Sequence, residues 1–537
     1  MKKRRIGRSL LSALLVAVML IGNCMVVSAA PQTMPDGTVF DAEYYAQSNP
    51  DVAAAVGTDA NALYQHYVNF GRAEGRLPYA GATPAATPSA GTVAAGPGAR
   101  LLDRSTIQFS AHFTSLPASD DGVLYVYELA VFEDAVPAGR APIMSLPMTA
   151  DPVVTFPYTE ARLYEKFAFV TITGGVPTIV GNPQFITNPE VLADKNVSRP
   201  TTFQGLQGPT HEYQFNNYPM QGGGNNGYPI GYLAKTVALL NNSGNPTITH
   251  PLGRSGYAGD PHPVDEQFNI FMFNATDQAG VNALTSEASW LAKNGSADVF
   301  IIGNEVNVRK WNYIQWQNGV SWEYYVDQYA DAFRVMYNAI KSQNAGAEVL
   351  ICLDQCWDRD RAVDRYNYID GKDFCDIFNS IISAGGNIDW GVAVHPHPVP
   401  LTNAKFWATG SYERAQINSN KMITFENLSV VVNYLSQPQF LAPDGSRRYM
   451  IDSEEGLVNT QGDAVQGAAI AAAYESARRN GLSQVIFLGE NHGPGLDYTM
   501  TGQAAAVYNS FGTPQEAAYM EWAKGVIGIS DWSQVLR

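Results

Sequence analysis

The chain has 537 residues, of which 45% are apolar and 16% are charged, and its formal net charge at pH 7 is −16. This apolar fraction is typical of well-packed globular domains and excludes a largely disordered chain, and the length indicates roughly two to four domains. The negative charge argues against DNA, RNA and anionic membrane surfaces as partners, and it is compatible with an uncharged substrate such as a carbohydrate.

Residues 1–30 have the features of a secretion signal. The basic segment MKKRRIGR precedes the apolar stretch LLSALLVAVMLIG, which is too short to span a bilayer, and Val27-Ser28-Ala29 matches a small-x-small cleavage site. Asn23 precedes Cys24 at the position where a lipid-anchored protein has a small residue. We therefore expect a secreted, extracellular protein, free or associated with the cell surface, without membrane contact after the signal is cleaved.

Residues 31–80 are predicted to form a small helical module, with breaks at Asn49-Pro50 and Gly57. The segment resembles a short module that recurs in secreted bacterial surface proteins. Residues 81–99, which are rich in Ala, Pro and Gly, are predicted to be a linker. Two roles are open for the aromatic residues of the module. Either they form a miniature core, which their helical spacing favours, or they bind a cell-wall or other surface polymer. The residues concerned are Tyr44, Tyr45, Tyr64 and Tyr67.

Residues 100–195 alternate apolar and polar side chains, as in GVLYVYELAVF and KFAFVTIT, and this pattern predicts a small antiparallel β-sandwich. Over residues 200–537, short apolar strands alternate with longer helical stretches. The strands are predicted in the order HEYQFNN, NPTITHPL, FNIFMFNA, VFIIGNE, EVLICLDQ, WGVAVHPHP, RYMIDSEEG and QVIFLGENHG. An α/β protein with a (β/α)8 TIM barrel is therefore expected, with a doubly wound sheet as the alternative.

Polar and titratable residues follow each of the last five predicted strands. In a barrel of parallel strands these ends meet at one face, where the chemistry takes place. The residues in chain order are Asn304-Glu305, Asp354-Gln355, His395-Pro396-His397, Asp452-Ser453-Glu454-Glu455 and Glu490-Asn491-His492. Carboxylates on facing strands are what glycoside hydrolysis requires, because one donates a proton to the leaving oxygen and the other attacks the anomeric carbon.

The Asn-Glu pair on the fourth predicted strand and the Glu on the seventh resemble the clan of retaining glycoside hydrolases built on TIM barrels. The resemblance implies that Asn304 binds the substrate 2-hydroxyl, that Glu305 is the acid/base and that Glu454 or Glu455 is the nucleophile. A Glu-x-Gly motif favours Glu454. Strand alternation lets only one of the two enter the site, and it places Ile451 and Ser453 on one side of the strand and Asp452 and Glu454 on the other. Over about residues 100–530 the chain also resembles a bacterial family of secreted proteins that join a β-domain to such a barrel.

Several further residues are candidates for substrate binding. Members of the clan often place a Trp after strand eight, and here Tyr498 is the substitute. Trp357, in a predicted loop, is a candidate platform for a sugar ring, although packing on the barrel rim explains it equally well. For His395 and His397 three roles are open: sugar contact, a structural role, or metal binding with His492 or Asp354 as a third ligand. Asn491 and His492 complete the candidate set.

Two other functions are open. A carbohydrate-binding barrel without turnover is one alternative, and a metal-dependent hydrolase that uses His395 and His397 is the other. No cofactor is expected. The cysteines beyond the signal segment are too few for a disulfide scaffold, and a single bridge is an open possibility; they are Cys352, Cys356 and Cys375.

Overall fold

The protein is described by a computed structural model, which divides it into two compact units, Met1–Ala94 and Ala95–Arg537. The predicted signal segment and most of the predicted linker lie outside the described residues. The described residues are 31–34, 39–67, 76–79, 98–197, 213–214, 248–250, 273–294, 298–308, 321–359, 368–489 and 491–537.

The first unit contains a two-stranded antiparallel sheet and three short helices. The strands are β1 (Gln32–Thr33) and β2 (Val39–Phe40), and the helices are α1 (Ala42–Ser48), α2 (Pro50–Val56) and α3 (Ala60–His66). Three of the four tyrosines singled out above are buried against Phe40, and they are Tyr45, Tyr64 and Tyr67. Packing therefore accounts for these three rings.

The second unit begins with two antiparallel sheets. They contain β3 (Gly98–Asp103), β4 (Thr106–Ser110), β5 (Val123–Leu129), β6 (Met144–Pro147), β7 (Val153–Pro157), β8 (Lys166–Thr173) and β9 (Val176–Phe185). One sheet has the order β3-β4-β7 and the other β6-β5-β8-β9. Phe109 of the first sheet stacks on Phe169 of the second at 4.3 Å, within one apolar cluster that both sheets share. Gly98 and Ala99 were predicted as linker, but they belong to β3 because Ala99 is buried in that cluster.

A curled parallel sheet, which forms a half-barrel, follows. Its strands are hydrogen-bonded in chain order, and they are β10 (Tyr213–Gln214), β11 (Ile248–His250), β12 (Val299–Ile301), β13 (Glu348–Leu353), β14 (Gly391–Val394), β15 (Met450–Glu455) and β16 (Val485–Phe487). The helices are α4 (Gln278–Asn294), α5 (Trp322–Lys341), α6 (Gly371–Ala384), α7 (Ser411–Asn418), α8 (Ser429–Leu435), α9 (Asp463–Arg479), α10 (Gly502–Ser510) and α11 (Glu516–Ile527). The helical side of the sheet belongs to the largest apolar cluster, and the inner side forms a smaller one around Ile301, Cys352 and Ile451.

Most of the predicted strand FNIFMFNA lies outside the described residues, and in the described sheet no strand separates β11 from β12. These two strands pair directly, with Ile248 opposite Val299. The described end of the predicted strand, residues 273–275, is buried but is not part of a strand. Asn274 Oδ1 accepts a hydrogen bond from the Thr276 amide in a turn just before α4. Phe273 and Ala275, in this described end, are buried in the largest apolar cluster. Asn304-Glu305 therefore follows the third strand of the described sheet, not the fourth.

Cys352, Cys356 and Cys375 are all buried thiols, and no disulfide joins them in the described part of the chain. Within the described part of the chain, no helix has both the length and the apolar character needed to cross a membrane.

Candidate functional site

Glu305 lies in a strained turn directly after β12. Its φ is +47°, and apart from Asn420 it is the only non-glycine residue with positive φ in the described part of the chain. Such a conformation costs about 1–3 kcal/mol, and it persists only where the surrounding structure enforces it, most often at functional sites. The backbone therefore marks Glu305 independently of its chemistry.

Two tyrosines of α5 hold this turn from behind. The Tyr329 hydroxyl donates to the carbonyl of Ile302 at 2.6 Å, and the Tyr325 hydroxyl donates to the carbonyl of Val306 at 2.8 Å. Both rings are fully buried. The two contacts flank Glu305 on either side in the chain, and they explain how the strained backbone is kept.

His395, at the end of β14, brings the two candidate carboxylates together. Its Nδ1 lies 3.1 Å from Glu305 Oε1 and 3.8 Å from Glu454 Oε2. Its Nε2 lies 3.0 Å from Ser453 Oγ and 3.3 Å from Cys352 Sγ. Because both carboxylates approach one nitrogen, their nearest oxygens are less than about 7 Å apart, which is within reach of the roughly 5–5.5 Å separation of retaining glycosidases.

The charges around His395 favour its protonated form. Burial alone would lower the pKa of the imidazole, but Cys352, Glu454 and Glu305 outweigh it and raise the pKa well above its usual value. Asp354, after β13, is also perturbed, because burial and the neighbouring Glu305 carboxylate raise its pKa to about 6. The site is thus an acidic cluster around one buried imidazole.

A β-bulge decides which glutamate of β15 enters the site. Asp452 pairs with Val485 and Glu455 with Phe487, so β15 has one residue more than β16 over this stretch. The bulge disrupts the simple alternation that placed Ser453 and Glu454 on opposite sides of the strand. Both contact His395, and the earlier prediction of opposite sides is wrong.

Glu454 and Glu455 lie in different environments. The side chain of Glu454 is 20% exposed, whereas Asp452 and Glu455 are fully buried. Burial raises the pKa of both Asp452 and Glu455 well above the usual range, and the neighbouring Asp452 adds to the rise for Glu455. Of the two candidate nucleophiles, only Glu454 therefore combines access to solvent with contact to His395.

His397 lies beside Glu454, with its Nε2 3.8 Å from Glu454 Oε1. Its Nδ1 accepts a hydrogen bond of 3.0 Å from the Gly456 amide. Burial, opposed by Glu454 and assisted by His395, lowers the pKa of His397, so this ring is neutral near pH 7.

Glu305, His395 and His397 have the spacing of a metal site, since one potential ligand atom from each lies within 4.8 Å of the others. The donor set nevertheless fits zinc poorly. A neutral imidazole has a single lone pair in the ring plane, and in His397 the Gly456 amide already uses the one on Nδ1. His397 cannot serve as a ligand while that hydrogen bond is kept.

The other candidates differ in how much they present to the site. Asn304 is nearly buried, at 5% exposure, directly before Glu305. Asn491 and His492 are exposed, and the His492 ring meets Tyr498 edge-on at 5.3 Å. Trp357 does not form a sugar platform, because its ring is 3% exposed and packs edge-on against Tyr434 in the core. Glu490 lies outside the described residues.

The family comparison covers the whole of this site. A family model described as "Family of unknown function (DUF5722)" matches residues 255–535, which is more than half of the chain. The chain belongs to this family. The DUF5722 region contains every residue placed in the site above, while the two antiparallel sheets precede it.

No curated protein matches the sequence. Solved structures similar to the chain include a family 39 glycoside hydrolase from Bacteroides cellulosilyticus WH2, with 14% identity, a TM-score of 0.34, and coverage of 74% of this chain and 78% of that one. A GH5 xyloglucan-specific endo-β-1,4-glucanase from a metagenomic library has 11% identity, a TM-score of 0.31, and coverage of 58% and 80%. A GH10 endoxylanase from a sugarcane soil metagenome has 11% identity, a TM-score of 0.30, and coverage of 52% and 77%. Likenesses at these scores carry no argument about activity, which must come from the side chains.

Several residues of the DUF5722 site could not be predicted from the sequence. The cysteine count bears only on disulfides, whereas alternation along β13 places Cys352 on the inner side of the sheet with Leu350. Tyr325 and Tyr329 read as core positions of an amphipathic helix, and nothing in the sequence signals that their hydroxyls support Glu305. The Glu-x-Gly motif contains Gly456 but does not predict its contact with His397.

Proposed function

We propose that this DUF5722 protein is a secreted glycoside hydrolase with a TIM-barrel catalytic domain, which cleaves a polysaccharide or oligosaccharide with retention of anomeric configuration. Glu305 is the acid/base and Glu454 the nucleophile. The observation that carries the proposal is the approach of both carboxylates to His395 Nδ1, at 3.1 and 3.8 Å. Secretion follows from residues 1–30, and any surface polymer bound by residues 31–80 is a separate partner.

The mechanism assigns each group a task. Glu454 attacks the anomeric carbon while Glu305 protonates the leaving oxygen, and a glycosyl ester forms on Glu454. Water then attacks the same carbon, Glu305 removes its proton, and the ester bond to Glu454 breaks. His395, held by Ser453, supplies a positive charge that stabilises the ionised form of the attacking carboxylate. Asn304, His397, Asn491 and His492 are the proposed sugar contacts, whereas Tyr498, at 3% exposure, bounds the site.

The experiment uses a panel of β-linked polysaccharides and activated aryl glycosides. Wild-type protein should release product whose first-formed anomer matches that of the substrate. Glu454→Gln and Glu305→Gln should each lose activity by about 10²-fold or more. With an aryl glycoside, Glu454→Ala should regain turnover when azide is added and yield a glycosyl azide of inverted configuration, because azide takes the place of the missing carboxylate.

Two other outcomes would replace the proposal. Binding of a glycan without turnover by the wild type would support the carbohydrate-binding alternative. Loss of activity on treatment with a chelator, restored by a divalent metal, would support the metal-dependent hydrolase, for which the cluster of Glu305, His395 and His397 is the specific observation.

A further inference from the structure

We propose that Gly456 is a positioning residue whose amide fixes His397 in the tautomer that carries its proton on Nε2, directed at Glu454. What this proton does in turnover rests on the function proposed above. Where the proton is located does not depend on that function.

The tautomer follows from the hydrogen bond on Nδ1. An amide nitrogen can only donate, so Nδ1 of His397 must accept at 3.0 Å and carry no proton of its own. The remaining proton of the neutral ring is then on Nε2, which lies 3.8 Å from Glu454 Oε1. The ring is 7% exposed, so water has little opportunity to supply an alternative donor to Nδ1.

Only glycine allows the amide to come this close. A Cβ at residue 456 would lie 2.9 and 3.1 Å from two ring carbons of Tyr498 and 3.2 Å from His397 Nδ1. Tyr498 cannot give way easily, since it is 3% exposed. The chain at Gly456 is therefore enclosed between the imidazole whose proton it fixes and the tyrosine that bounds the site.

A clamp from α9 fixes the backbone on both sides of this contact. Gln466, which is fully buried, donates from Nε2 to the carbonyl of Leu457 at 2.8 Å and to the carbonyl of Tyr498 at 3.1 Å. The loops after β15 and β16 are also joined by the Asn459 amide, which donates to the carbonyl of Asp497 at 2.8 Å. The Gly456 amide thus has a defined direction before any ligand binds.

This arrangement restricts the role of His397. Its lone pair is engaged, so it cannot act as a general base or accept a metal. Its Nε2 proton can donate to the ionised form of Glu454 or to a sugar hydroxyl close to it, and donation to a carboxylate favours the ionised, nucleophilic form.

Nuclear magnetic resonance of protein labelled with 15N-histidine tests the tautomer directly. The sequence contains eight histidines, so the spectrum is sparse, and loss of one pair of signals in His397→Gln assigns that residue. We expect a protonated Nε2 and an unprotonated Nδ1 in His397 at neutral pH, unchanged by added Zn²⁺. A proton on Nδ1, or a shift of either nitrogen to a metal-bound value with Zn²⁺, overturns the proposal.

Gly456→Ala provides the functional test, with Gly489→Ala as a matched control. A Cβ at residue 489 would meet nothing within 4 Å, and Gly489 also lies at the end of a strand of the same sheet. We expect Gly456→Ala to change the His397 nitrogen signals and to lower kcat by about 10- to 100-fold with a smaller change in KM, as small displacements in a site do. Unchanged nitrogen signals in Gly456→Ala overturn the proposal. If no glycan is hydrolysed but the expected tautomer is present, the function fails and this inference stands.

Discussion

Tyr329→Phe tests whether the turn that carries Glu305 is held from behind. The substitution removes only the hydroxyl that donates to the Ile302 carbonyl at 2.6 Å, in a position that is fully buried. A buried carbonyl that loses its donor costs about 1–3 kcal/mol. Unfolding entropy is about 2.1 cal/mol/K per residue, so in a unit as long as Ala95–Arg537 a loss of 1 kcal/mol lowers Tm by about 1 °C, and we expect Tm to fall by roughly 1–3 °C.

Activity gives the second readout. Glu305 has a φ of +47°, and without the hydroxyl the turn is free to relax toward an ordinary conformation and to move the carboxylate. We therefore expect kcat to fall by more than the loss of stability alone explains at a temperature where both proteins are folded.

Tyr508→Phe is the matched control. The Tyr508 hydroxyl is buried, like that of Tyr329, but it has no hydrogen-bond partner among the residues that the structure describes. Its removal should therefore leave Tm unchanged or slightly raised. The assay is thermal unfolding of the three proteins side by side at one pH. An equal Tm and equal activity for Tyr329→Phe and Tyr508→Phe would refute the claim that α5 supports the turn.

Three further predictions concern carboxylates of the site. Glu455→Gln should keep most of the glycosidase activity that Glu454→Gln loses, measured on the same substrate, and the reverse result would move the nucleophile to Glu455. The raised pKa of Glu455 means that the folded state favours its protonated form, so stability falls as pH rises from the usual carboxyl range toward the folded-state pKa. Between pH 5 and pH 8, Tm should accordingly decline less in Glu455→Gln than in the wild type, because the variant has no buried acid to ionise at this position. Parallel curves of Tm against pH for the two proteins would contradict this. Asp354, whose pKa is about 6, is charged at pH 7 and opposes ionisation of Glu305 by like-charge repulsion. Asp354→Asn should therefore move the alkaline limb of the pH–rate profile to lower pH. An unmoved limb would exclude this coupling.

The sequence was a good guide where a strand ends in polar residues. Parallel strands end at one edge of a sheet, so side chains far apart in the chain were expected to meet there, and the structure brings Glu305, His395 and Glu454 together. This inference needs only the direction of the strands. It does not depend on how many strands the sheet contains, and so it is unaffected by the direct pairing of β11 with β12.

The sequence was a poor guide where packing between distant segments decides the outcome. Trp357 follows a strand, and from the sequence it is a candidate for sugar binding. In the structure its ring is buried against Gly371, where a Cβ would lie 2.9 Å from the indole. The roles of Tyr325 and Tyr329 likewise depend on which carbonyl each hydroxyl reaches. No local pattern encodes these contacts, because they join elements that are separated by tens of residues.

The choice between Glu454 and Glu455 shows how one inserted residue redistributes chemistry along a strand. In a regular strand Ser453 and Glu455 would share the inner side, and Glu455 would be the carboxylate that faces His395. The extra residue between Asp452 and Glu455 instead gives the inner side two adjacent residues, Ser453 to hold His395 and Glu454 to face the solvent. It also places Asp452 and Glu455 together on the buried side, where burial raises the pKa of both acids well above the usual range. The bulge, rather than the identity of either residue, therefore separates Glu454, which contacts His395 and solvent, from Glu455, which is buried and has a raised pKa.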